Sequence, residues 1–69
     1  MMGVNKIKGY RVMLGLTQKE MADKLGLSVR GYVSKENGTS SFKGSELIKI
    51  QTILKERNLD VKLDDLVEA

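Results

Sequence analysis

Along the run from Ser28 to Asn37, Val29, Arg30, Val33, Ser34 and Asn37 fall on one side of a helix that turns about 100° per residue. Gly31, Tyr32 and Lys35 fall on the other. A face meant only for solvent favours Glu, Lys and Ala, whereas β-branched, hydroxyl, amide and guanidinium groups are the types that meet base edges in a DNA major groove. Arg30 is the main candidate reader, because its fork fits guanine O6 and N7, while Val29 and Val33 suit thymine methyl groups. Ser28, Ser34, Thr39, Ser40 and Lys43 offer hydroxyls and an ammonium to phosphate oxygens or nearby base edges, and the backbone amides of the polar stretch 39–43 add to these. Gln18 is expected to grip a phosphate together with the amides of the helix end on which it sits.

Other chemistries find little support. The chain has no Cys and no His, which removes thiol chemistry, imidazole acid/base work and the usual zinc ligands together. Asp64 and Asp65 are adjacent, so on a helix they diverge by about 100° and cannot converge on one metal or substrate; acids at a helix start are favoured by its dipole alone. No glycine loop that could cradle phosphates, repeat or low-complexity linker is present. Neither an enzyme nor a cofactor is expected.

The elements that must position these side chains are short helices. Thr17 can cap a helix that begins at Gln18, with Glu20 three residues later completing a capping box. Met21, Ala22 and Leu25 make its apolar stripe, and Gly26 can end it in a left-handed conformation. Leu27 plugs the corner, Ser28 can cap the second helix, and Asn37-Gly38 stops it. Upstream, Asn5 to Leu14 reads as a first helix whose face holds Ile7, Tyr10, Arg11 and Leu14, with Gly15 as its stop. Gly9 inside that helix costs about 1 kcal/mol relative to Ala, which calls for either a close helix contact or a phosphate approach. Arg11 is a guanidinium directed at a core, tolerable only beside a carboxylate, and Glu36 is the natural partner. Downstream, Phe42 is expected to pack inward. Ser45 is expected to cap a helix from Glu46 to about Arg57, with Leu47, Ile50 and Leu54 on one face, Ile48 and Ile53 flanking it, and Asn58 as its C-cap. A short final helix is expected near Asp64 to Glu68, with Leu59, Val61, Leu63, Leu66 and Val67 as apolar anchors around it.

The segment LTQKEMADKLGLS, followed by ENG, resembles the Cro/C1-type (XRE) helix-turn-helix of temperate-phage repressors and Cro proteins. Gln18, Ala22, Gly26, Leu27, Glu36, Asn37 and Gly38 fall in its register, and the resemblance runs from about Asn5 to Leu66. It implies an all-α bundle of five short helices in one domain over 1–69, with the helix-turn-helix at about 17–38 and C-terminal helices at about 45–68. It implies sequence-specific binding of double-stranded operator DNA, a homodimer whose contact lies in the C-terminal helices, and an Arg11–Glu36 pair tying the first helix to the end of the third. One residue departs from the pattern. Lys35 stands where a large apolar residue is common, so its stem is expected to cover core while its ammonium snorkels to water. A different role on the same fold is an antirepressor that acts by binding a partner phage repressor protein.

Charge fits the DNA reading. Of the net +3, residues 1–43 hold eight Lys and Arg against three acids, and residues 44–69 hold four against six. A protein that lays one side on phosphates and turns the other away is expected to show such a division. With 69 residues, the core must come from helix packing without disulfide or zinc, and dimerisation would help. The apolar stretches are too short for a membrane span, and the start MMGVNKIKG lacks the hydrophobic region of a secretory signal, so a cytoplasmic protein is expected.

Overall fold

The computed structural model describes residues 6–66, the Asp64 side chain excepted. The described residues form four helices and no strand: α1 (Lys6–Met13), α2 (Gln18–Leu25), α3 (Val29–Glu36) and α4 (Gly44–Glu56). A single helical turn, Leu63–Leu66, closes the described chain. The expected five-helix bundle is therefore corrected to four helices and one turn. Asp60 to Lys62 stay non-helical, and four residues barely cover the cost of nucleating a helix, which fixes several dihedrals for a first hydrogen bond. The expected ends at Asn5 and Glu68, with Val67, lie outside the described residues, as does the Asp64 side chain; Asp65 is exposed.

Each helix ends in the same way. The N–H groups of Gly15, Gly26, Gly38 and Asn58 turn back onto the carbonyls of Val12, Asp23, Lys35 and Lys55 at 2.9–3.2 Å. Those of the following residues, Leu16, Leu27, Thr39 and Leu59, reach the carbonyls of Arg11, Ala22, Ser34 and Leu54 at 2.9–3.1 Å. This is the Schellman arrangement, which needs a left-handed residue, and all four stops have positive φ, from 62° at Asn58 to 88° at Gly38. The starts differ. At α2 the Thr17 hydroxyl accepts the Glu20 N–H at 3.0 Å and the Glu20 carboxylate accepts the Thr17 N–H at 2.8 Å. At α4 the expected Ser45 cap is corrected: the helix begins two residues earlier, at Gly44, Lys43 is the cap, and the Glu46 carboxylate reaches back to the Lys43 N–H at 2.7 Å. Ser45, inside the first turn, is exposed.

The core gathers Ile7 and Leu14 from the α1 region, Met21, Ala22 and Leu25 from α2, Tyr32 from α3, Ile50 and Leu54 from α4, and Leu66 from the final turn. Leu27 and Phe42 pack against it from the two loops. Phe42 meets the Tyr32 ring edge-on, with centroids 6.0 Å apart. The arc of α4 is mostly taken up by this core: Leu47 and Ile53 are half-buried and Ile48 alone remains exposed. Gly9 has no such packing reason, since a Cβ there would meet nothing within 4 Å, and the close helix contact is excluded.

Candidate nucleic-acid interface

Three residues, Gly26, Leu27 and Ser28, join α2 to α3. The left-handed Gly26 reverses the chain, Leu27 is half-buried against the core, and the Ser28 hydroxyl accepts the Gly31 N–H at 3.0 Å to start α3. Gly31 matters to that cap. A Cβ on it would lie 3.0 Å from the Ser28 oxygen, so any larger residue would push against the cap.

From this corner α3 presents two unlike sides. Tyr32 and Glu36 are buried, while Ser28, Val29, Arg30 and Asn37 are exposed and Val33 and Ser34 half-buried. Val29, an apolar residue at the helix start, keeps 41% of its surface open. Among the described residues the Arg30 side chain forms no hydrogen bond or ion pair with the protein, so its guanidinium is available for an external partner. Thr39, Ser40 and Lys43 are exposed as well, beyond the end of α3.

The inner side is held by a buried polar cluster. Glu36, 1% exposed, accepts hydrogen bonds from Arg11 Nε at 2.8 Å, Tyr32 Oη at 2.6 Å and Gln18 Nε2 at 2.9 Å. A second Arg11 donor, Nη1, reaches the Leu16 carbonyl at 2.7 Å. One carboxylate thus ties α1, the start of α2 and the end of α3. Burial pushes the Glu36 carboxyl up, but the donors from Arg11, Tyr32 and Gln18 outweigh it and hold the group below its ordinary range. Losing a water-accessible hydroxyl environment and donating to Glu36 raise the Tyr32 phenol.

A second pair replaces the expected snorkelling of Lys35. Its Nζ lies 2.6 and 2.7 Å from the two carboxylate oxygens of Glu46, both side chains being largely buried. An ammonium kept from water needs a carboxylate, and the first turn of α4 supplies one. Burial raises the Glu46 carboxyl, while Lys35 and the Lys43 N–H bring it below its usual range. Sequence reasoning missed Glu46. The argument applied to Arg11 did not single out a partner for Lys35, because a lysine on an inner face can also carry its ammonium to water along its stem.

Two further expectations change in detail. The Thr39 and Ser40 N–H groups both bond the Ser34 carbonyl, at 2.9 and 3.1 Å, and that of Lys43 bonds Glu46, so these amides are not offered to phosphate. The side chains of Thr39, Ser40 and Lys43 are exposed. At Gln18 the side-chain amide is turned onto Glu36; with the Glu20 and Met21 N–H groups capped by Thr17, the backbone N–H groups of Gln18 and Lys19 remain at the helix end.

A family model described as helix-turn-helix matches residues 7–66. No curated protein and no solved structure matches the chain. No helix among the described residues is long and apolar enough to cross a membrane. An eight-residue α2, a three-residue corner and an eight-residue α3 with an open polar outer side stand inside the matched segment. The chain belongs to the Cro/C1-type (XRE) helix-turn-helix family of DNA-binding transcription regulators.

Proposed function

We propose that this chain is a phage or prophage regulator of the Cro or repressor type, which acts as a homodimer by occupying a pseudo-palindromic operator. The observation that carries this reading is the outer side of α3. Val29, Arg30, Val33 and Ser34 stand on it with no side-chain bond to the rest of the described protein, while the inner side is locked by Glu36 and Tyr32. Such a helix is rigid where it meets the body and unoccupied where it would meet DNA. In the groove Arg30 takes guanine O6 and N7, and Val29 and Val33 meet thymine methyls. Ser28, Ser34, Thr39, Ser40 and Lys43 hold the flanking backbone. The N-terminal amides of α2, with Gln18 beside them, take a phosphate. Gly9, exposed on α1 with no packing partner, leaves room for a phosphate to approach. Because most of the α4 apolar arc is absorbed by the core, the antirepressor alternative keeps less surface for a partner repressor than the sequence alone suggests.

The test is a duplex selected by the chain from a random-sequence pool, compared with random duplex. Arg30→Ala should weaken the selected duplex by about 1 to 3 kcal/mol per half-site and relax the preference at one base pair, whereas Lys43→Ala should weaken both duplexes alike. Equal weakening of both duplexes by Arg30→Ala would make Arg30 a phosphate contact. Intact DNA binding with lost association to a second regulator would favour the antirepressor.

A further inference from the structure

The loop that follows α3, residues 37–43, is anchored at both ends by neighbouring residues of α3. At its start the Ser34 carbonyl accepts the Thr39 and Ser40 N–H groups. At its end the Lys43 N–H is held by Glu46 Oε1 at 2.7 Å, and Glu46 in turn is gripped on both oxygens by the Lys35 ammonium. Between the anchors Phe42 sets its ring against Tyr32. We propose that the side-chain oxygen of Glu46, which the Lys35 ammonium seats in the native chain, is a positioning group for DNA contact: it pins the Lys43 N–H and so fixes the end of the loop, and Lys43 meets a phosphate without further ordering. The proposal rests on the DNA-binding function above.

A buried ion pair is a poor source of net stability, because desolvation offsets most of the attraction and apolar replacements are often neutral. What this pair supplies is a fixed place for a carboxylate oxygen, and through it for the Lys43 backbone. A loop ordered before binding avoids the conformational entropy that a mobile loop would lose on the DNA. Its effect should therefore show in binding and in loop protection more than in melting.

Two double variants separate the pin from the charges. Lys35→Met with Glu46→Gln removes both charges but keeps a side-chain oxygen for the Lys43 N–H. Lys35→Met with Glu46→Leu removes the acceptor too. Both should fold, as checked by melting. In the free protein, exchange of the Lys43 amide should stay near native in the first variant and quicken by about tenfold or more in the second. With random duplex at about 0.1 M salt, the second variant should lose roughly tenfold in affinity for each phosphate contact that it gives up, and its slope of log K against log salt should be shallower by about one per subunit. The first should bind within about twofold of native and keep its slope. Native affinity and slope in the second variant, or a loss in the first as large as in the second, would overturn the proposal. Should the native chain show no salt-dependent DNA binding, the proposed function fails instead; equal Lys43 protection in the two variants would then still refute the pin.

Discussion

Glu36 is the residue on which the arrangement of the helices depends. A carboxylate at 1% exposure is costly unless its oxygens are satisfied, and three donors from Arg11, Tyr32 and Gln18 satisfy them. Among the described residues no buried side-chain nitrogen or oxygen lacks a partner. Arg11→Ala strands that charge, and the expected loss is about 3 kcal/mol in urea denaturation. Unchanged stability with lost DNA binding would instead place Arg11 on the nucleic-acid surface. Arg11 could be read from the sequence because a guanidinium on an apolar stripe demands a carboxylate, and the ion pair it makes is with Glu36. Lys35 could not be read in the same way. A lysine stem can lie on core with its ammonium in water, so the residue type left two outcomes open, and Glu46 resembled an ordinary helix-start acid. The outward roles of Arg30, Val29 and Val33 follow from residue type and helical phase, and they stand as proposals for the binding assays above.

Among the elements, the stops were far easier to read than the last start. Gly15, Gly26, Gly38 and Asn58 mark the helix ends because few residue types tolerate a left-handed backbone, and each apolar stripe runs out just before one of them. At the start of α4 the sequence pointed to Ser45, and the structure uses Lys43. Ser45 has the better side chain, but Glu46 can reach the Lys43 N–H only from the third helical position, and that requirement, with Lys35 waiting for the same carboxylate, sets the start at Gly44. The final turn escaped because apolar anchors alone do not measure helix length. Gly9 gives a test at this scale. With open space around its Cα, Gly9→Ala should stabilise α1 by up to about 1 kcal/mol, visible as a rise in melting temperature of roughly 4 to 8 °C. A loss of DNA affinity in the same variant would indicate that a phosphate approaches there; no stabilisation would mean that Gly9 is held by something other than helix propensity.

Across the whole molecule, charge divides into an inner and an outer set. Of the eight bases in residues 1–43, Arg11 and Lys35 neutralise buried carboxylates. Positive charge for DNA must come from the remainder, notably Arg30 and Lys43, which are exposed. The buried carboxylates also set the response to acid. Glu36 and Glu46 are held below 4.5 in the folded state, so unfolding takes up protons as the medium becomes more acidic. Their stabilisation is complete above that ordinary value and disappears as pH falls through the lowered folded ones. With no histidine in the chain, urea denaturation should give nearly constant stability between about pH 6 and 9 and a steep fall below about pH 4.5. Glu36→Gln and Glu46→Gln should each flatten part of that fall. The division of charge was visible in the sequence, and so was the enclosure of Arg11, but that of Lys35 was not, since its stem left two outcomes open. The central claim, that α3 and its flanking hydroxyls and ammonium dock onto DNA, is tested most directly by the salt dependence of binding to a selected duplex. For a dimer with about three phosphate contacts per subunit, log K against log salt should fall with a slope of roughly −5. A slope near zero, or no binding to any duplex at low salt, would contradict it.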